Sequence, residues 1–124
     1  MRNWLLIFIG GGLGSVLRYA VHRLMGGITL YSFPYSTFLV NIIGCFFIGF
    51  FVFYTDRFGD YSLQLRLFLV TGLCGGFTTF SAFSYENILL INDHKVFIFL
   101  TYAIGSVALG VIATYCGLLV ARNI

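Results

Sequence analysis

The polar side chains set inside the apolar runs of this chain are few, and most are uncharged hydrogen-bond donors. Asn41 lies about a third of the way into the second run. Thr78, Thr79, Ser81 and Ser84 sit in the third, with Glu86 and Asn87 nearer its end. Tyr102, Ser106 and Thr114 lie in the fourth. With Gly110, these last three recur at intervals of four residues and share roughly one face of a helix. Single hydroxyls in membrane helices commonly bond back to their own helix or to a neighbour. A stripe of them, together with Asn41 and the Thr78-Thr79 pair, points instead to a polar track along a protein-lined path. Donors without negative charge suit an anion. No acidic residue lies in the middle of any run, whereas a proton-coupled carrier needs a carboxylate or His near the membrane centre. His22 and His94 stand at run ends, and no spacing supports a Ser/His/Asp set or a side-chain metal centre, so no enzyme is expected.

The elements that must carry these residues follow from composition. Of 124 residues, 60% are hydrophobic and 9% charged, against about 25% charged in soluble domains. That length holds roughly four spans of about 20 residues and no soluble domain beside them. The apolar runs cover about 3–24, 34–55, 65–91 and 96–120, predicting one all-α integral membrane domain. Transmembrane β-strands are about half as long and alternate in polarity. Gly26-Gly27 and the polar stretch Asp56 to Asp60 mark connections, as does Asn92 to Lys95; Pro34 suits a first helical turn. The first run follows Arg2 but no small-x-small cleavage site closes it, so it is expected to be retained. Cys45, Cys74 and Cys116 form no CxxC pair and are expected to be small buried apolar residues. The net charge of +3 is thinly spread, which argues against nucleic acid.

If all four runs span, Arg2, Arg57, Arg66 and Arg122 share one side, and Arg23 and Lys95 the other, with Arg18 close to it. Orientation normally follows a clear Lys/Arg excess. So weak a bias fits either low flanking charge or dual topology, in which two copies assemble head to tail. Gly10/Gly14 and Gly72/Gly76 form GxxxG pairs that let helices approach closely. Gly75-Gly76 followed by Thr78-Thr79 joins poor helix formers to β-branched residues. A helix can unwind there only where its backbone is buried in protein or lines a wet cavity, and freed carbonyls can hold a cation. Phe80 and Phe83 then share one face, and a ring edge carries partial positive charge that can face a small anion.

Three stretches carry a resemblance to a known family: GGGLGSVLRY (Gly10 to Tyr19), PYSTFLVNIIGCFFIG (Pro34 to Gly49) and, most specific, GLCGGFTTFSAFSYE (Gly72 to Glu86). The sequence resembles the Fluc (CrcB) fluoride channels of bacteria and archaea over nearly its whole length. The resemblance implies an antiparallel, dual-topology homodimer of four-helix subunits in the cell inner membrane, with two fluoride pathways. It implies a third helix broken over Gly75 to Thr78, where a structural Na+ on the molecular two-fold is held by the backbone carbonyls of Gly75 and Thr78. It places Phe80, Phe83 and Asn41 on the pore, Thr79, Ser81, Tyr102 and Ser106 on the polar track, Glu86 near one end and Arg18 in the vestibule. The sequence departs from the family pattern at Ser15, Ser36, Ala82 and Gly110, the last standing where a second track hydroxyl is common.

Passive fluoride export is the function this implies. Fluoride is strongly hydrated, so crossing requires replacing its water stepwise with donors, with Arg18 raising local anion concentration. Two alternatives fit the short four-span chain less well. A small multidrug exporter is also a short dual-topology dimer, but it calls for a Glu embedded in the first span, which holds none. A non-transporting assembly subunit has no need of a broken helix or a hydroxyl stripe.

Overall fold

The computed structural model describes residues 1–26 and 33–124, and all regular structure among them is helical. Gly27, half of the expected Gly26-Gly27 turn, lies outside the described residues. Helix α1 spans Arg2–Met25 and α2 spans Tyr35–Thr55. A 3-10 stretch, Asp56–Tyr61, leads into α3 (Ser62–Arg66), a π-helical stretch (Leu67–Cys74) and α4 (Gly75–Phe77), which together form a third rod. Helix α5 spans Phe80–Asn92 and α6 spans Val96–Asn123. Among the described residues, three helical runs, Arg2–Met25, Tyr35–Asn92 and Val96–Asn123, are long and apolar enough to cross a membrane, the second counted across its bends.

Burial is inverted relative to a water-soluble domain. Trp4, Phe8, Val16, Phe97 and Val111 face outward, while Thr37, Thr55, Thr79 and Asn87 are buried. Large exposed apolar surface marks contact with lipid or another chain. Packing rests on small residues instead. Helix α1 buries only Gly10 and Gly14, because a Cβ on either would run into the backbone of the third rod at Phe68 or Leu73. Helices α2 and α6 meet as closely: a Cβ on Gly49 would overlap the Thr114 carbonyl, and one on Gly117 the Phe46 carbonyl. In lipid no hydrophobic force pulls helices together, so contact of this kind is what holds them.

The connections satisfy helix ends with side chains and tight turns. Gly59 (φ 49°, ψ −115°) turns the chain back along α2. Arg66 donates to the Val52 carbonyl (3.0 Å) and Thr55 Oγ1 (3.3 Å) and pairs with Asp56 at 2.7 Å, capping α2. Arg57 donates to the Ala121 carbonyl of α6 at 2.8 Å. After α5, His94 adopts positive φ (57°), and Lys95 N donates to the Leu90 carbonyl at 2.9 Å, a Schellman-type close.

The break in the third rod falls later than the sequence predicts. Gly75 retains helical angles (φ −63°, ψ −37°) and begins α4. The extended residues are Thr78 (φ −75°, ψ 157°) and Thr79 (φ −149°, ψ 117°). The glycines therefore do not unwind the helix. Gly76 is there for packing, since a Cβ on it would overlap the Gly11 carbonyl.

Candidate functional site

The site is built around the two extended residues. Thr79 caps the start of α5, its Oγ1 accepting from Ala82 N at 3.2 Å. The same oxygen lies 3.2 Å from Ser81 Oγ. From α2, Asn41 meets Thr79 with two hydrogen bonds: Thr79 N donates to Oδ1 at 2.8 Å, and Nδ2 donates to the Thr79 carbonyl at 3.1 Å. An amide nitrogen carries two hydrogens, so this pairing uses one and leaves one.

A groove of about 240 Å³ opens beside this pairing, its walls including Asn41, Cys45, Thr79, Phe80, Phe83 and Ser106. Several threonine hydroxyls are spent on the backbone just before them. Thr78, which also lines the groove, and Thr55, Thr101 and Thr114 each donate to the carbonyl four residues earlier. Ser106 differs, because its Oγ is buried without a partner among the described residues. Phe80 is 78% exposed at the groove's open side, with its ring centroid 5.7 Å from that of Phe83. Phe83 in turn lies 5.1 Å from Tyr102.

One turn from Ser106 the polar line ends at a carboxylate. Glu86 Oε1 accepts from Thr37 Oγ1 at 2.6 Å and Oε2 from the Tyr102 hydroxyl at 2.7 Å. Thr37 and Tyr102 are fully buried, so α2, α5 and α6 are tied at this point. Both oxygens of Glu86 have donors, and the carboxylate does not line the groove.

Arg18 sits on the opposite side of the break. It lines a concavity of about 250 Å³ with Ser15, Tyr19, His22, Thr79 and Ala82. Its Nη1 lies 3.4 Å from the Thr78 carbonyl, at the long end of hydrogen bonding. Thr79 thus borders both concavities.

The two carbonyls expected to hold a cation, those of Gly75 and Thr78, flank the break, and the second lies 3.4 Å from Arg18 Nη1. In an unbroken helix the Gly75 carbonyl accepts from Thr79 N, but that N–H is directed to Asn41. Thr78 lies outside helical geometry altogether. Carbonyl oxygens of this kind suit a hard cation.

The structure brings Asn41, Thr79, Phe80, Phe83 and Ser106 to one groove and Tyr102 with Glu86 to its end; Ser81 touches the group through Thr79. Thr114 is removed from the expected stripe by its bond to Gly110. Two groove-related residues escaped the sequence reading. Thr37 holds Glu86, and Cys45, expected to be a buried apolar residue, is partly exposed and lines the groove. Its Sγ lies 3.4 Å from where a Cβ on Gly110 would stand. The signal was present: Thr37, Asn41 and Cys45 recur every four residues on α2, facing Tyr102, Ser106 and Gly110 on α6.

The profile of the family described as "CrcB-like protein, Camphor Resistance (CrcB)" matches residues 5–118. The chain belongs to this family. Among curated relatives, the fluoride-specific ion channel FluC of Flavobacterium psychrophilum is 46% identical over 124 residues, covering all of both chains. FluC of Phocaeicola vulgatus is 47% identical, covering 95% of this chain and 97% of its own. FluC of Bacteroides fragilis is 45% identical, with 94% of each covered. The matched length takes in the groove, the break and the Glu86 tie.

Proposed function

We propose that this chain is a fluoride-specific ion channel that lets fluoride leave the cell passively, and not an enzyme. The observation that carries this is the pair of facing stripes, 37/41/45 on α2 and 102/106/110 on α6. They hold an unspent Ser106 hydroxyl and an unspent Asn41 N–H beside an aromatic wall. The path offers donors and ring edges to a small anion, and its one carboxylate is held at the end by two hydroxyls. Fluoride sheds its water against Asn41 and Ser106, with Thr79 and Ser81 adding hydroxyls nearby. Phe80 and Phe83 form the narrow part, and Tyr102 with Glu86 closes one end of the track. Arg18 attracts anions to the mouth.

The working unit is an antiparallel homodimer of four-span subunits in the cell inner membrane. The exposed Phe80 and Gly75 beside the break leave the groove open on a side a second copy can close, and the weak arginine bias permits both insertions. A structural Na+ at the dimer axis would be held by the Gly75 and Thr78 carbonyls of both copies, supplying fixed positive charge and no transport of its own.

Replacing Phe80 and Phe83 together by Ile (Phe80→Ile with Phe83→Ile) tests the path. Fluoride efflux from liposomes should fall at least tenfold while the protein still elutes as a dimer. Unchanged efflux would remove the rings from the pathway.

A further inference from the structure

We propose that the break in the third rod is imposed by α2, through a template made of Asn41 and Gly44, and is not a consequence of weak helix formers in the rod itself. Three observations converge on it. First, the poorest helix formers of the stretch, Gly75 and Gly76, are helical; the chain leaves the helix only at Thr78 and Thr79. Second, Asn41 offers Thr79 both an acceptor at 2.8 Å and a donor at 3.1 Å, the pairing a neighbouring β-strand gives an extended residue. Third, one helical turn further along α2, Gly44 receives the side chain of Thr78: a Cβ on Gly44 would overlap Thr78 Cγ2. The residues 41 and 44 share a face of α2, and between them they engage the two extended residues.

The template acts at both ends of the break. By taking Thr79 N–H, Asn41 removes the donor the Gly75 carbonyl has in a continuous helix. By holding Thr79 extended, it sets the hydroxyl that caps Ala82 N and starts α5, so the position of Phe80 and Phe83 follows from it. Asn41 is thus a positioning residue for the break as well as a wall of the groove. This does not depend on which ion crosses.

Backbone carbon chemical shifts of Thr78 and Thr79, measured by NMR on the full chain in lipid, read extended against helical conformation directly. The wild-type chain should give extended shifts at both positions. Asn41→Leu, similar in volume but with no polar atoms, should lose the extended shifts at Thr79. Gly44→Ala should lose them at Thr78. Combining Gly44→Ala with Thr78→Ser removes the overlapping methyl while keeping the hydroxyl, and should restore extended shifts at position 78. Efflux, read in parallel, should fall tenfold or more in Gly44→Ala and recover in the double variant. Should Asn41→Leu fail to fold, the Gly44/Thr78 pair carries the same test. Extended shifts that persist in both Asn41→Leu and Gly44→Ala would overturn the proposal, as would a double variant no better than Gly44→Ala.

Discussion

Ser106→Ala separates stability from conduction. The Ser106 hydroxyl is buried and bonded to nothing among the described residues, and a buried polar group left unmatched costs about 1–3 kcal/mol. Truncating it breaks no protein hydrogen bond, so the variant should be as stable as the wild type or more stable by up to about 1 kcal/mol. Conduction should move the other way. A hydrogen bond to a charged group contributes about 1.5–3 kcal/mol, and each 1.36 kcal/mol on a barrier is tenfold in rate. Loss of one donor at the rate-limiting step therefore slows fluoride by roughly 10- to 100-fold. Thr37→Val is the control, since its hydroxyl is spent on Glu86 and its loss should destabilise. Denaturation in detergent and fluoride efflux from liposomes read the two quantities. A Ser106→Ala protein that unfolds more easily yet conducts normally would refute the assignment of this hydroxyl to the ion.

Tyr102→Phe leaves Glu86 Oε2 without the donor seen at 2.7 Å and should cost about 1.5–3 kcal/mol, read as a lower denaturation midpoint. Gly117→Val places atoms where the Phe46 carbonyl already stands. It should give aggregated protein on size exclusion, whereas Gly12→Ala, with no atom within 4 Å of its Cβ, should behave as wild type.

Much of this site is legible in the sequence, unevenly and for physical reasons. Hydropathy gives the all-α membrane class because the apolar runs are long and the charges few. The four-residue spacing of Tyr102 and Ser106 places them on one face of α6 without any structure. Local propensity gave the break in the right region and included Thr78, but began it too early, at Gly75. Gly75 and Gly76 looked like the weak point, yet both remain helical, Gly76 packed against Gly11 of α1, and the chain opens where Asn41 and Gly44 engage Thr78 and Thr79. Such engagement is a contact across 38 residues, which propensity within one segment cannot register. Thr114 shows the converse. Its spacing fits the stripe, but its hydroxyl is already satisfied by Gly110, a matter of rotamer that spacing does not report. Cys45 was passed over because cysteine is usually an apolar filler. Its register with Thr37 and Asn41 was the better guide. The π-helical stretch Leu67–Cys74 had no sequence signal at all.

The most direct measurement is ion efflux from liposomes carrying the purified protein, with fluoride and chloride compared under one gradient. Fast fluoride efflux with chloride at the level of protein-free liposomes is the predicted result. Equal rates for the two anions, or fluoride no faster than from empty liposomes, would contradict it.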